Sequence, residues 1–185
     1  IMAEKVQPEI EVEDLTIGYG SNVLQQNLNF DVKPGEVFGI LGGSGCGKST
    51  LLKHIIGLYE PQKGDIRIEG RSIVSATDTE KLEIMRHFGV TYQGGALFGS
   101  MTVAENVALP LMFKGVSKKV RLRRARAELK SMGLLGRANH LPTEMSGGQQ
   151  QRVGIARAFV SNPKVIFADE PTGNLDSRTS KQVLY

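Results

Sequence analysis

Lys48, Ser49, Asp169 and Glu170 are the residues whose types and settings fit chemistry on a phosphate ester. Lys48 and Ser49 close the run Gly42-Gly43-Ser44-Gly45-Cys46-Gly47-Lys48-Ser49, with Thr50 next, and this run matches the spacing G-x-x-x-x-G-K-[ST]. Glycines let backbone N–H groups curl round an anion, and a helix start adds the positive end of its dipole. A lysine at that place reaches the outer phosphates, and the serine hydroxyl is a magnesium ligand. The pattern implies a nucleoside triphosphate site rather than a plain glycine-rich turn. Asp169 and Glu170 follow the apolar run Val165-Ile166-Phe167-Ala168, which reads as a buried strand. Successive strand residues point to opposite sides, so two adjacent acids can do two jobs. In phosphoryl transfer one holds magnesium while the other orients or deprotonates the attacking water. Asp169 suits the first task and Glu170 the second.

A third segment, Ser146-Gly147-Gly148-Gln149-Gln150-Gln151-Arg152, opens a helix with a serine and two glycines. It reads either as an ordinary helix cap or as a second anion site. A second anion site has no obvious use inside one nucleotide pocket.

The elements that must position these groups follow from apolar periodicity. Short strands are expected at Glu9 to Ile17, Leu28 to Val32 and, after the Pro34-Gly35 turn, Val37 to Leu41. The last is continuously apolar, as a strand buried on both faces should be, and leads through the glycines into a helix from Lys48 to Gly57. Two more strands are expected at Asp65 to Glu69 and Gly89 to Tyr92. From Gln93 to about Met145 the pattern turns helical. Thr102 and Glu105 form a capping box for a helix through about Phe113. A helix from Ser117 to Met132 carries Leu122, Ala125, Leu129 and Met132 on one stripe. Its other faces hold Lys118, Lys119, Arg121, Arg123, Arg124, Arg126 and Lys130, either a solvated surface or a dock for an acidic partner or lipid headgroups. Helix, strand and helix follow at Gln149 to Ser161, Val165 to Ala168 and Ser177 onward.

Composition bounds the rest. The chain has 185 residues, 40% of them hydrophobic and 23% charged, enough for one globular domain with an insertion. No apolar run approaches the roughly 20 residues of a membrane span. A single cysteine, Cys46, excludes an intrachain disulfide framework, and nothing near Ile1 resembles a charged leader before an apolar core, so a reducing, cytoplasmic setting is expected. Met2 reads as the natural start. The net charge of +4 permits nucleotide, acidic lipid or nucleic acid and selects none of them.

Taken in order, the motifs resemble the nucleotide-binding domain of an ABC ATPase over about Ile10 to Tyr185. Gly42 to Thr50 resembles its Walker A, Gln93 its Q-loop, Met145 to Gln149 its signature, Val165 to Glu170 its Walker B, and Gly173 to Asp176 its D-loop. The resemblance implies an α/β fold: a P-loop NTPase core, ABC-type and RecA-like, with an N-terminal antiparallel β subdomain and an inserted α-helical subdomain. The implied divisions of this single domain are 9–92 for the β subdomain and P-loop core, 93–145 for the helical insertion, and 146–185 for the signature helix, Walker B strand and D-loop helix. ATP and Mg2+ are the implied ligands. Tyr19 stands where the family stacks adenine, and Gln93 is a magnesium or water contact. Ser146, Gly147, Gly148, Gln149 and Asp176 meet the ATP of a second, head-to-tail copy, which gives the second anion site a purpose. The implied partners are that second copy and transmembrane permease subunits at the cytoplasmic face of the inner membrane. Nucleic acid is not expected, because the coiled coil or tandem cassette of non-transport relatives is missing.

Two departures stand out. Met145 replaces the leucine usual before the signature serine, a mild apolar exchange. The family's switch histidine lies beyond the D-loop, whereas His54, His87 and His140 all precede Asp169, and the sequence stops inside an expected helix. The resemblance thus implies a C-terminally truncated cassette that binds ATP but turns it over poorly alone. Tyr92 to Phe98 resembles ATPases of bacterial phospholipid transporters, and Pro171 to Ser180 resembles those of lipoprotein-release and macrolide-export systems, so the expected cargo is a lipid or another envelope component.

Overall fold

The computed structural model describes residues 7–170, which divide into two compact units, the first ending at Arg86 and the second beginning at His87. Gly173, Asn174, Leu175 and Asp176, and the helix expected from Ser177, lie outside the described residues.

In the first unit, β1 (Ile10–Tyr19) pairs antiparallel with β2 (Asn22–Val32) on one edge and with β3 (Lys63–Ile68) on the other; β4 (Arg71–Ser72) extends the sheet to the order β2-β1-β3-β4. The expected alternation in β1 buries Ile10 and Val12, and then Leu15 and Ile17. The step from even to odd positions is made by a bulge at Asp14, whose φ is 46°. Asn29 spans that bulge, accepting from the Asp14 N–H at 2.9 Å and donating to its carboxylate at 3.2 Å. Helix α1 (Lys48–Ile55) buries Leu51, Leu52 and Ile55, which join Ile66 and Ile68 of β3 in the core. Full burial of each such aliphatic contributes about 1.5–3 kcal/mol. Helix α2 (Asp78–Met85), not anticipated from the sequence, starts at a capping box between Thr77 and Glu80.

The expected strand Val37 to Leu41 does not form. The segment is irregular, with Val37 92% and Leu41 94% exposed, and only Phe38 finds a ring partner, stacking on Phe30 of β2 at 4.8 Å. A strand buried on both faces needs neighbours to take its N–H and C=O groups, and none of the described residues pairs with it. An apolar run encodes the demand for cover, not the strands that provide it.

In the second unit, β5 (Phe88–Thr91) and β6 (Val165–Ala168) form a parallel pair in the register Phe88 to Val165 through Thr91 to Ala168. Between them run α3 (Val103–Phe113), α4 (Lys118–Ser131) and α5 (Gly147–Phe159). The capping box of α3 forms: the Glu105 N–H donates to Thr102 Oγ1 at 3.2 Å, and the Thr102 N–H donates back to Glu105 Oε2 at 2.9 Å. The apolar stripe of α4 is buried at Ala125 and Leu129, with Leu122 and Met132 at its margin, against Val103, Val107, Leu111, Met145 and Val153. Met145 therefore fills a core position, where methionine keeps the volume and apolar character that leucine would supply. The basic side chains of α4 are exposed except Arg121, which is half-buried and donates to the Val116 carbonyl at 3.0 Å. Strand β6 is less buried than expected: Val165 and Ile166 are half-buried and only Phe167, edge-on to Phe88, is buried, because no described strand pairs with its far edge. No described helix is long and apolar enough to cross a membrane.

Candidate functional site

The glycine-rich loop reaches α1 through two left-handed residues, Gly45 at φ 80° and Gly47 at φ 96°, conformations an L side chain resists. Gly47 is the N-cap of α1, so the orphan N–H groups of the first helical turn open toward the loop. The Lys48 ammonium is turned back into it, donating to the Gly42 carbonyl at 2.8 Å and the Gly43 carbonyl at 2.9 Å, with Cys46 Sγ 3.9 Å away. A Cβ built on Gly43 or Gly45 meets nothing within 4 Å, so the loop is open at those two positions, while one on Gly42 would strike Cys46 Sγ. Ser44 is exposed beside them, and Ser49 and Thr50 follow on α1. Such a cradle of N–H donors, an ammonium and two hydroxyls suits a polyphosphate.

Tyr19 joins this group. It ends β1, is 50% exposed, and its hydroxyl lies 3.1 Å from Thr50 Oγ1, which aims the ring at the start of α1. Two neighbours that the sequence reading missed hold the arrangement. Gln25 of β2 donates to the Cys46 carbonyl at 2.8 Å, and Tyr59 packs edge-on against Tyr19 at 5.8 Å while its other contacts are His54 and the Lys53 ammonium. A lone strand glutamine carries no sequence signal for such a contact.

In the second unit the ends of the two parallel strands carry the other candidates. Gln93 is exposed in the turn after β5, and half-buried Asp169 and exposed Glu170 follow β6. The Asp169 N–H donates to the Thr91 carbonyl at 3.0 Å, so Gln93 and the two acids leave neighbouring strands on the same edge. Carboxyl ends of parallel strands are where α/β folds place ligands. Glu170 is left-handed at φ 48°, which breaks the strand line and turns the chain after Asp169.

Ser146 caps α5 as the sequence suggested: its hydroxyl accepts from the Gln149 N–H at 3.3 Å, and Gln149 Oε1 accepts from the Ser146 N–H at 3.0 Å. The N–H groups of Gly147 and Gly148 lie in the first turn, where a helix offers no acceptor, and Gly147 is exposed with open space at its Cβ position. The cap and the anion site are therefore compatible.

The same helix grips the Gln93 turn. Gln151 bonds the backbone on both sides of Gln93, and Arg157 donates to the Gly95 carbonyl at 2.6 Å and the Ala96 carbonyl at 2.9 Å. Burial pushes the Arg157 pKa down, opposed by Tyr92, yet a guanidinium stays charged at neutral pH. Gln151 and Arg157 were missed by the sequence reading; the available signal was Gly154, a glycine inside a helical run, which marks close backbone approach. Among the described residues no cluster of three histidine, cysteine or acidic side chains is set to hold a metal by itself. Within the second unit, Gln93 and Asp169 offer oxygen donors of the kind magnesium accepts alongside water and substrate phosphates.

A family model described as ABC transporter matches residues 25–173. The methionine import ATP-binding protein MetN of Brucella abortus is 40% identical over 177 residues, covering 96% of this chain and 48% of that protein. The chain thus spans about half the length of curated relatives it matches. Among solved structures, the dimeric structure of MJ0796, described as a bacterial ABC transporter cassette, superposes with a TM-score of 0.87 at 41% identity, covering 95% of this chain and 81% of that one. A dimeric post-hydrolysis state of MJ0796 bound to ADP and Pi gives 0.84 at 38% identity, with the same coverage.

Proposed function

The chain belongs to the ABC transporter family and has the α/β fold of its ATP-binding cassettes, and from that premise we propose that it binds and hydrolyses ATP to power a membrane transporter. The observation that carries the reading is the loop Gly42–Ser49, wound through left-handed Gly45 and Gly47, with the Lys48 ammonium bonded to its carbonyls. Those two carbonyls are exchanged for outer phosphate oxygens when nucleotide enters, while the N–H groups of Gly43, Ser44, Gly45, Cys46 and Gly47 surround the inner ones. The aromatic face of Tyr19 takes adenine.

Ser49, Gln93 and Asp169 are the oxygen donors proposed for Mg2+, which supplies neutralisation of phosphate charge. Lys48 stabilises the charge that grows on the transferred group, Gln93 positions water, and Glu170 orients the attacking water and takes its proton. A relative solved as a dimer, and with ADP and Pi, supports a pair of copies; in the proposed pair, arranged head to tail, Ser146, Gly147, Gly148, Gln149 and Asp176 complete the partner's nucleotide site. The expected setting is peripheral, at the cytoplasmic face of the inner membrane, docked on permease subunits. For the cargo, Tyr92 to Phe98 supports a lipid or envelope component, whereas the name of the MetN relative speaks for a small solute; stimulation of ATPase activity by candidate cargoes in reconstituted transporter decides between them. The primary test is titration with a fluorescent ATP analogue and Mg2+: the protein binds and Lys48→Ala does not. Equal binding by both contradicts the reading.

A further inference from the structure

Gln151 is a fully buried polar side chain in the middle of α5, and the chemistry above makes no use of it. Its carboxamide accepts from the Gly94 N–H at 2.6 Å and donates to the Tyr92 carbonyl at 3.3 Å. Those groups belong to the two peptide units that flank Gln93, so one side chain closes a ring around that residue. A primary amide presents a donor and an acceptor side by side; a carboxylate lacks the donor and an apolar chain lacks both. The turn then continues left-handed through Gly94, Gly95 and Ala96, at φ 72°, 78° and 45°. Backbone in that region has no regular ladder to take its carbonyls, and Arg157 takes two of them. Contact between turn and helix is backbone on backbone: a Cβ on Gly95 would strike the Gln150 carbonyl, and one on Gly154 would lie 2.6 Å from Gly95 Cα.

We infer that Gln151 and Arg157 are positioning residues for Gln93, fastening its turn to α5 so that Gln93 and the helix-start segment Ser146–Gln149 move as one body. The inference rests on the proposed role of Gln93 at magnesium or water. A residue held at both its peptide groups has its side-chain direction set by the helix that holds it. Displacement of α5 then carries Gln93 with it, and a ligand on Gln93 restrains the signature segment through packed, hydrogen-bonded structure.

The test is a double-mutant cycle in the full-length protein assembled with its membrane subunits, comparing Gln93→Ala, Gln151→Met and both together. Gln151→Met keeps the length of the side chain and removes both hydrogen bonds. It is expected to leave the ATP Kd within about twofold, to lower kcat by about tenfold or more, and to raise the Mg2+ concentration needed for half-maximal rate, as loss of a ligand-orienting group does. The double variant should be no slower than Gln93→Ala alone, because Gln151 acts through Gln93. An unchanged kcat for Gln151→Met, or losses that multiply in the double variant, overturns the inference and leaves Gln151 a support of the fold. Should Gln151→Met fail to fold, Arg157→Lys in the same cycle gives the same two outcomes. Failure of the parent protein to bind Mg-ATP overturns the nucleotide reading, and this inference with it.

Discussion

Gly154 and Gly95 meet with no side chain between them: a Cβ on Gly154 would lie 2.6 Å from the Gly95 Cα and 3.1 Å from its carbonyl oxygen. Alanine is the better helix former by about 1 kcal/mol, so in an open helix Gly154→Ala would stabilise. Here the neighbour is backbone that cannot swing aside, and overpacking of this kind costs about 1–3 kcal/mol. Gly154→Ala should therefore lower the unfolding midpoint in urea, and a raised midpoint would show the contact to be loose.

Gly147 is the contrasting case on the same helix. Its Cβ position is open and its backbone is ordinary helix, so Gly147→Ala should leave stability within about 0.5 kcal/mol or raise it slightly. The methyl group does, however, cover the first-turn N–H groups proposed for the partner's ATP. ATPase activity of the variant should fall with the Tm unmoved; equal loss of both would make Gly147 structural.

Cys46 is exposed within the phosphate loop, its Sγ 3.9 Å from the Lys48 ammonium. Alkylation with iodoacetamide places new bulk where the loop must surround phosphate. Labelling followed by mass spectrometry should slow when Mg-ATP is present, and modified protein should lose nucleotide binding. Equal labelling rates with and without nucleotide would contradict the placement of phosphate in this loop.

Glu105 gives a pH signature at the start of α3. Hydrogen bonds from the Thr102 N–H and then from the Thr102 hydroxyl hold its pKa below the ordinary 4.5, against a small opposing effect of burial. A carboxylate with a depressed folded pKa contributes stability in full above its unfolded pKa, and that contribution disappears as pH falls through the lower folded value. The group is only partly buried, so the effect is small. Comparing urea midpoints at pH 7 and pH 3, Glu105→Gln should lose less stability on acidification than the parent. Identical acid sensitivity would remove the cap from the account.

The sequence disclosed what depends on neighbours close along the chain. The loop Gly42–Ser49, the capping box at Thr102, the helix cap at Ser146, and the stripe of α4 that buries Ala125 and Leu129 were all legible, because spacing alone dictates them. Cover from distant segments was not. Val37 to Leu41 has the composition of a central strand, yet strand identity requires ladder partners that no local pattern names, and the segment is exposed. The grip of Gln151 and Arg157 on the Gln93 turn was hidden for the same reason, since its partners lie 57 to 62 residues apart. Only Gly154, misplaced by helix propensity, pointed to it.

In the proposed mechanism ATP brings two copies together with the signature segment of each against the phosphate loop of the other. Light scattering on the full-length protein carrying Glu170→Gln, with and without Mg-ATP, tests it most directly, because removing the proposed base preserves the bound nucleotide. The account predicts a monomer that doubles in mass on adding Mg-ATP and reverts when Gly147→Ala is also present. A mass that stays unchanged while ATP binds would contradict it.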